Sequence, residues 1–316
     1  MSDSPALLVI GECVADVVRL PGEPDRTHPG GSPANVAYGL ARLGRDTTLL
    51  TQLGQDPDGR LIEDHLTSAG VRVLTDGRSG RTPSATVALD AAGRATYTFD
   101  IDWTLGPVEP CARAGHVHTG SVATAVGPGA DSVLDLVRGL RAHATVSYDP
   151  NVRPALMGDR ASAVGRAEDF VALSDVVKAS DEDLRWLYPD DAPEAVAGRW
   201  LGSGPAAVLV TRGERGAVAL LPGGSVSIPA AAVAVTDTVG AGDAFMSGTL
   251  HALAERGLLG GPSARARLHE LDHVVLGEVL RHAVASASVT VTRAGALPPD
   301  AKELAAALIS APSPER

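Results

Sequence analysis

The chain has 316 residues, 44% of them hydrophobic, enough to bury a large core in one α/β domain with an appendage. Its formal net charge of -11, from 27 basic against 38 acidic residues, argues against non-specific binding to nucleic acid or to an anionic membrane surface and leaves room only for a local basic pocket. The basic residues are arginines except for Lys178 and Lys302, which excludes a Gly-x-x-x-x-Gly-Lys-Ser/Thr phosphate loop, and Cys13 and Cys111 are too few for a disulfide framework or a cysteine zinc site.

In chain order, Ala6-Leu7-Leu8-Val9-Ile10 followed by Gly11-Glu12 reads as a buried central strand ending in a turn, with Asp16 just past its C-terminal end. The string Gly30-Gly31-Ser32-Pro33-Ala34-Asn35 then opens a helix over 35–43. Its glycine pair and the Asn35 amide suit hydrogen bonds to several hydroxyls, although Asn35 alone reads as readily as a helix cap. Further buried strands are expected over 47–53, 116–120, 145–148, 176–179 and 207–211, with helices around 59–69, 130–140 and 161–172. Strands separated by helices imply a parallel sheet covered on both faces. The runs 86–89 and 95–99, separated by Asp90-Ala91-Ala92-Gly93-Arg94, form a hairpin that joins 14–20 in a small projecting sheet. A second hairpin, 216–221 with 225–228, turns at Pro222-Gly223-Gly224, and the Pro- and Ser-bearing C-terminal tail is expected to be disordered. With no signal peptide and no apolar run long enough to span a bilayer, the expected location is the cytoplasm, with thiols reduced.

The most informative stretch is Asp237-Thr238-Val239-Gly240-Ala241-Gly242-Asp243-Ala244-Phe245, where an apolar helix begins just after the glycines. Unpaired N–H groups at that helix start attract anions, and the nearly bare backbone of Gly240, Ala241 and Gly242 lets a phosphate approach closely. Asp243 faces the same spot from the first turn, placed to take a proton from an attacking hydroxyl, which points to phosphoryl transfer. Taken alone, the string is also compatible with a tight turn followed by a favourable acidic residue.

Other polar strings sit at strand ends. Tyr148-Asp149-Pro150-Asn151-Val152-Arg153-Pro154 offers a carboxylate, an amide and a guanidinium where ligands of parallel sheets bind. Lys178-Ala179-Ser180-Asp181-Glu182-Asp183 fits a serine cap with acidic first-turn residues. His116 and His118 have the spacing of two ligands on one strand face, but the run is apolar and no third ligand suggests itself, so a structural role is expected. No Gly-x-Gly-x-x-Gly follows the first strand, which removes the main reason to propose a dinucleotide oxidoreductase.

The string 30–44 and the string 237–245 together resemble the paired signatures of the ribokinase-like sugar kinases, also called the phosphofructokinase-B family. The resemblance spans nearly the whole chain and implies a single ribokinase-like domain over 1–316, three-layered, with a mostly parallel central sheet and a small β-sheet lid from about 12–29 and 83–103. It implies an ATP-dependent kinase of a sugar primary hydroxyl, with Asp243 as base and an anion hole at Gly240, Ala241, Gly242 and Asp243. Sugar contacts carry over to Asp16, Gly30, Gly31 and Asn35, with Asn151 and Arg153 facing substrate or transferred phosphate. The nucleotide falls to Ser180, Thr211, Gly213, Gly216, Gly240 and Gly242. Magnesium hydration falls to Asp183 and Glu182, where the family's Asn-x-x-Glu is altered. Potassium falls to Asp237, Val239, Thr290, Arg293 and Gly295, mostly through carbonyls. The lid implies a homodimer. Gly11-Glu12, the Asn151-Val152-Arg153 string, 120–124 and Tyr97-Thr98-Phe99 are most like the fructokinase branch, making fructose the expected acceptor. The alternative is 2-keto-3-deoxygluconate, whose kinases carry a Tyr-Tyr-Arg-type lid, whereas Tyr97-Thr98-Phe99-Asp100 offers no cation. A non-catalytic sensor on the same fold and a general nucleotide hydrolase are the readings of other classes.

Overall fold

The computed structural model describes residues 5–77, 80–89, 95–106 and 114–315; the expected hairpin loop 90–94 and Cys111 lie outside the described residues. The first strand, β1 (Ala6–Ile10), shows why its apolar run is continuous. Leu7 and Val9 face one core, Leu8 and Ile10 the other, because side chains alternate across a sheet buried on both sides.

From β1 the chain passes to β2 (Val14–Arg19) and β3 (Arg26–Gly30), then to α1 (Ser32–Arg42), β4 (Thr47–Thr51), α2 (Pro57–Ser68) and β5 (Arg72–Thr75). The pair β6 (Ser84–Leu89) and β7 (Ala95–Asp100) follows. An α/β alternation then runs through β8 (Ala114–Gly120), α3 (Val122–Ala125), α4 (Gly129–Leu140), β9 (Thr145–Asp149), α5 (Arg160–Leu173), β10 (Val176–Ser180), α6 (Asp181–Leu187), α7 (Pro193–Leu201) and β11 (Ala207–Thr211). The hairpin β12 (Ala217–Leu221) and β13 (Gly224–Ile228) precedes α8 (Ala241–Glu255), α9 (Pro262–His269), α10 (His273–Val291) and α11 (Ala301–Ser310).

The large sheet has the order β13-β12-β11-β10-β9-β8-β1-β4-β5, parallel from β11 to β5 and antiparallel in the terminal hairpin. Helices α1, α2, α8 and α10 supply the core on one face, and α4, α5, α6 and α7 that on the other. All parallel strands therefore end at one side of the molecule, where Glu12, Ser121, Asn151 and Asp181 follow β1, β8, β9 and β10.

The small sheet has the order β3-β2-β6-β7. The sequence reading had three of its strands but not β3, because Arg26-Thr27-His28-Pro29-Gly30 lacks an apolar alternation. As an edge strand it tolerates Pro29, which has no N–H to donate. The C-terminal tail is another correction. Glu315 exchanges backbone hydrogen bonds with Ser227 at 2.7 and 2.8 Å, using the open edge of β13. A third correction concerns α10, which by length and composition alone could cross a bilayer; half of it is buried, and it packs on α8, β12 and β13 as a core helix.

Helices α1, α8 and α10 approach closely through glycines. A Cβ on Gly248 would stand 2.8 Å from Ser286 Cβ and 2.9 Å from the His282 carbonyl oxygen, whereas one on Gly139, exposed in α4, would meet nothing within 4 Å. Gly139→Ala is therefore expected to stabilise the protein by about 0.5–1 kcal/mol. Gly248→Ala is expected to destabilise it by roughly 1–3 kcal/mol. Urea melts of the two variants check the opposite signs.

Candidate active site

The turn before α8 can hold only particular residues. Gly240 lies at φ 73°, and a Cβ there would come within 2.5 Å of the Ala296 Cβ, so both conformation and space call for glycine. The start of α8 borders a cleft lined by Thr238, Ala241 and Gly242, with the Ala241 N–H donating to the Thr238 carbonyl at 3.2 Å.

Asp243, in that first turn, is 8% exposed, and α1 holds it on both sides. Ser32 Oγ donates to Oδ1 at 2.6 Å and Asn35 Nδ2 to Oδ2 at 2.8 Å. Asn35 does not cap α1 with its side chain; its amide reaches across to the carboxylate. Ser32 belongs to the glycine-rich string but had not been singled out, since only the tertiary contact turns its hydroxyl toward Asp243.

Asp16 comes to the same region on β2, paired in register with His28. Burial pushes its carboxyl up to about 6, against the opposing pull of His28 and Arg153. Gly30 is needed because a Cβ there would collide with the Asp16 carboxylate, and Gly31, at φ 100°, passes over the Glu12 carbonyl. Asp16, Gly30, Gly31, Asn35 and Asp243 thus form one polar wall. Behind it lies Glu12, a residue the sequence analysis did not single out as a site. Its Oε2 accepts from Ala123 N at 2.9 Å, and burial pushes the carboxyl up to about 7.

Beyond Asp243 a cleft of about 1180 Å³ runs along the ends of β9, β10 and β11. Asn151, Arg153, Ser180, Glu182, Asp183, Thr211, Gly213, Gly216 and Gly242 all line it; of the expected nucleotide residues, Gly240 is not part of this lining. The apolar rim includes Val233 and Val235, 39% and 63% exposed. Asn151 has a φ of 38°, and Arg153 Nη1 donates to its Oδ1 at 2.9 Å. Ser180 and Asp183 make a complete capping box, and Asp183 also accepts from Val152 N at 2.8 Å, so its two oxygens are engaged by backbone. Glu182 is the exposed carboxylate of the pair, open to the cleft. Also lining the cleft is Lys178, buried and bonded to Asp149 Oδ2 at 2.8 Å, a residue to which the sequence assigns no site role.

The segment after α10 meets the loop before α8. Asp237 accepts from Val239 N at 3.0 Å and Gly295 N at 2.9 Å, and these bonds hold its carboxyl below the usual carboxylate range. Val239 is exposed beside them. Thr290 turns its hydroxyl to the Ser286 carbonyl within α10, and Arg293 pairs with Glu303, so neither side chain faces Asp237. Backbone oxygens and Asp237 are what this loop could offer a monovalent cation. His116 and His118 share the Ser147 hydroxyl at 2.9 Å and are buried, which lowers both to about 3 and keeps them neutral core groups.

The chain matches the pfkB family carbohydrate kinase over residues 5–303. It is 35% identical to a fructokinase of Klebsiella pneumoniae over 262 residues, covering 79% of this chain and 85% of the relative. Among solved structures, a fructokinase from Xylella fastidiosa with bound ATP superposes with a TM-score of 0.84 at 26% identity, covering 97% of this chain and 98% of that one. A double mutant of fructokinase from Vibrio cholerae O395, in a fructose-, ADP- and potassium-bound form, gives a TM-score of 0.78 at 25% identity, covering 98% and 100%.

The buried Glu12 makes stability depend on pH. Its folded value of about 7 lies above the usual 4.5 of an exposed glutamate, so the folded state holds a proton between them, and stability falls as pH rises from there through about 7. Glu12→Gln lacks this titration. Its stability relative to the wild type is expected to grow by roughly 3 kcal/mol from pH 4.5 to pH 8, read by urea melts at both values.

Proposed function

Since the chain belongs to the pfkB family of carbohydrate kinases, as an ATP-dependent sugar kinase, we propose that its acceptor is fructose, phosphorylated to fructose 6-phosphate in the cytoplasm. The observation that carries the reading is the grip of Ser32 and Asn35 on Asp243, which sets one carboxylate between the polar wall and the glycine turn. Asp243 takes the proton of the sugar's primary hydroxyl as that oxygen bonds to the γ-phosphorus. The bond from phosphorus to the β–γ bridging oxygen breaks, and its electron pair leaves with ADP. Amides of Gly240, Ala241, Gly242 and Asp243 stabilise the charge on the phosphoryl oxygens. Asp16 and the backbone of Gly30 and Gly31 hold the sugar hydroxyls, with Asn35 bridging to the base.

The cleft residues Ser180, Thr211, Gly213 and Gly216 seat the nucleotide, whose apolar base suits the Val233 and Val235 rim. Magnesium carried by the nucleotide would neutralise phosphate charge, with Glu182 the open carboxylate for its hydration and Asp183 fixing the turn behind it. A potassium ion fits the Asp237 loop through backbone oxygens of Val239, Thr290, Arg293 and Gly295. The small sheet, from about 12–29 and 83–103 of the single domain 1–316, serves as a lid that excludes water. Tyr97 and Phe99, 67% and 40% exposed on it, favour a homodimer through the lids.

One observation favours 2-keto-3-deoxygluconate as a second reading: Arg153 is an exposed guanidinium whose field reaches Asp16. ADP release with magnesium ATP and potassium, across fructose, 2-keto-3-deoxygluconate, ribose and no sugar, separates them. Turnover on fructose alone supports the first reading, and turnover on the keto acid alone replaces it. ADP release without sugar, or none at all, overturns both. Asp243→Asn is expected to fold and bind sugar while its kcat falls by about 10²–10⁴; near-normal turnover would remove Asp243 as the base. The apparent affinity for the sugar is expected to weaken as pH falls through about 6, where Asp16 takes up a proton, and Asp16→Asn to lose that limb in a plot of KM against pH.

A further inference from the structure

Lys302 lies exposed, so Lys178 is the lysine that this arginine-rich chain keeps in its interior. Its side chain is 4% exposed, and its ammonium donates to Asp149 at 2.8 Å. A Cβ built on Gly242 would stand 3.0 Å from Nζ, so the ammonium lies directly over the glycine turn, and Lys178 also lines the large cleft. An ammonium has three donors, and Asp149 takes one. Beside the bonded Asp149, the charges of Asp183 and Asp243 also act on it. Burial works against its charge, but those carboxylates outweigh burial and raise its pKa. Burial, aided by the Lys178 charge, holds His118 neutral.

This arrangement poses an electrostatic problem that the backbone amides do not solve. A phosphoryl group entering between Asp243 and Gly242 brings more negative charge to a place already ringed by carboxylates. Lys178 is the buried cation on that ring. Its ammonium sits between Asp149 and the bare face of Gly242.

We propose that Lys178 is a catalytic residue whose ammonium donates a hydrogen bond to the transferred phosphoryl group at the glycine turn, with Asp149 as the residue that positions it. The proposal rests on reading the chain as an ATP-dependent kinase, and its test is chosen to fail separately. Removing Lys178 alone would strand the Asp149 carboxylate in the interior. The first variant is therefore Lys178→Met combined with Asp149→Asn, and the second is Lys178→Arg, which keeps the charge pair.

The probes are ADP and β,γ-methylene-ATP, each with magnesium, titrated calorimetrically into wild type and both variants. A contact to the γ-phosphate predicts that affinity for the triphosphate analogue falls by about tenfold while that for ADP is retained. A merely structural lysine would weaken both nucleotides alike or neither, and either result overturns the proposal. In turnover, kcat is expected to drop by about 10²–10³ with the KM for the sugar unchanged. A drop confined to KM would also overturn it. Should the wild type turn over no sugar, the kinase reading fails, while the ratio of the two nucleotide affinities still decides whether Lys178 meets the third phosphate.

Discussion

Two hydrogen bonds across the contact of α1 with α8, from Ser32 Oγ and Asn35 Nδ2 to the two oxygens of Asp243, tie together regions of the chain some two hundred positions apart. They can form only because the helices meet at close range. A Cβ on Gly39 of α1 would come within 2.6 Å of Ser247 Oγ on α8, and the Gly240 turn leaves just enough room for Ala296. Close packing at these points converts a small residue into a positional constraint, and the carboxylate inherits that precision. The polar wall on one side and the cleft on the other then share a single boundary atom group.

The same region concentrates charges that a folded protein ordinarily leaves in water. Glu12, Asp149, Lys178, Asp183 and Asp243 are each less than a tenth exposed. Burying them opposes folding unless each is paired or hydrogen-bonded, and the structure meets that requirement locally. Asp149 has Lys178, Asp183 has the N–H groups of Ser180 and Val152, and Glu12 has the N–H of Ala123. A core of apolar residues would be simpler to stabilise. Retaining these groups at the C-terminal ends of β1, β9 and β10 puts responsive chemistry where the parallel strands deliver it.

Legibility differed sharply between kinds of residue. Glycines at 31 and 240 announced themselves, because a positive φ and a close backbone or Cβ neighbour favour glycine there, and those at 30 and 242 stand in the same unusual strings. Ser32, Lys178 and Glu12 did not, although each lies within or beside a recognisable string. A serine hydroxyl, a buried ammonium and a buried carboxyl act through what they meet, and those partners come from other elements. The Ser180 to Asp183 turn is instructive in the same way: its local pattern fits a serine cap with acidic first-turn residues, and the structure completes it as a capping box, with Asp183 committed to backbone donors and Glu182 left at the cleft.

By itself the sequence determined the parallel sheet covered on both faces, since strands such as Ala6–Ile10 and Ala207–Thr211 are apolar at every or nearly every position and alternate with helical stretches. It determined the glycine turn as well, because backbone conformation is a local property. Tertiary structure decided which polar groups touch. It recruited Arg26–Gly30 as an edge strand without an apolar pattern, paired Glu315 with the open edge at Ser227, buried α10, and set Ser32 and Lys178 around one turn. Edge pairing and side-chain contacts between distant elements depend on where the chain returns in space, and no short window of residues carries that information.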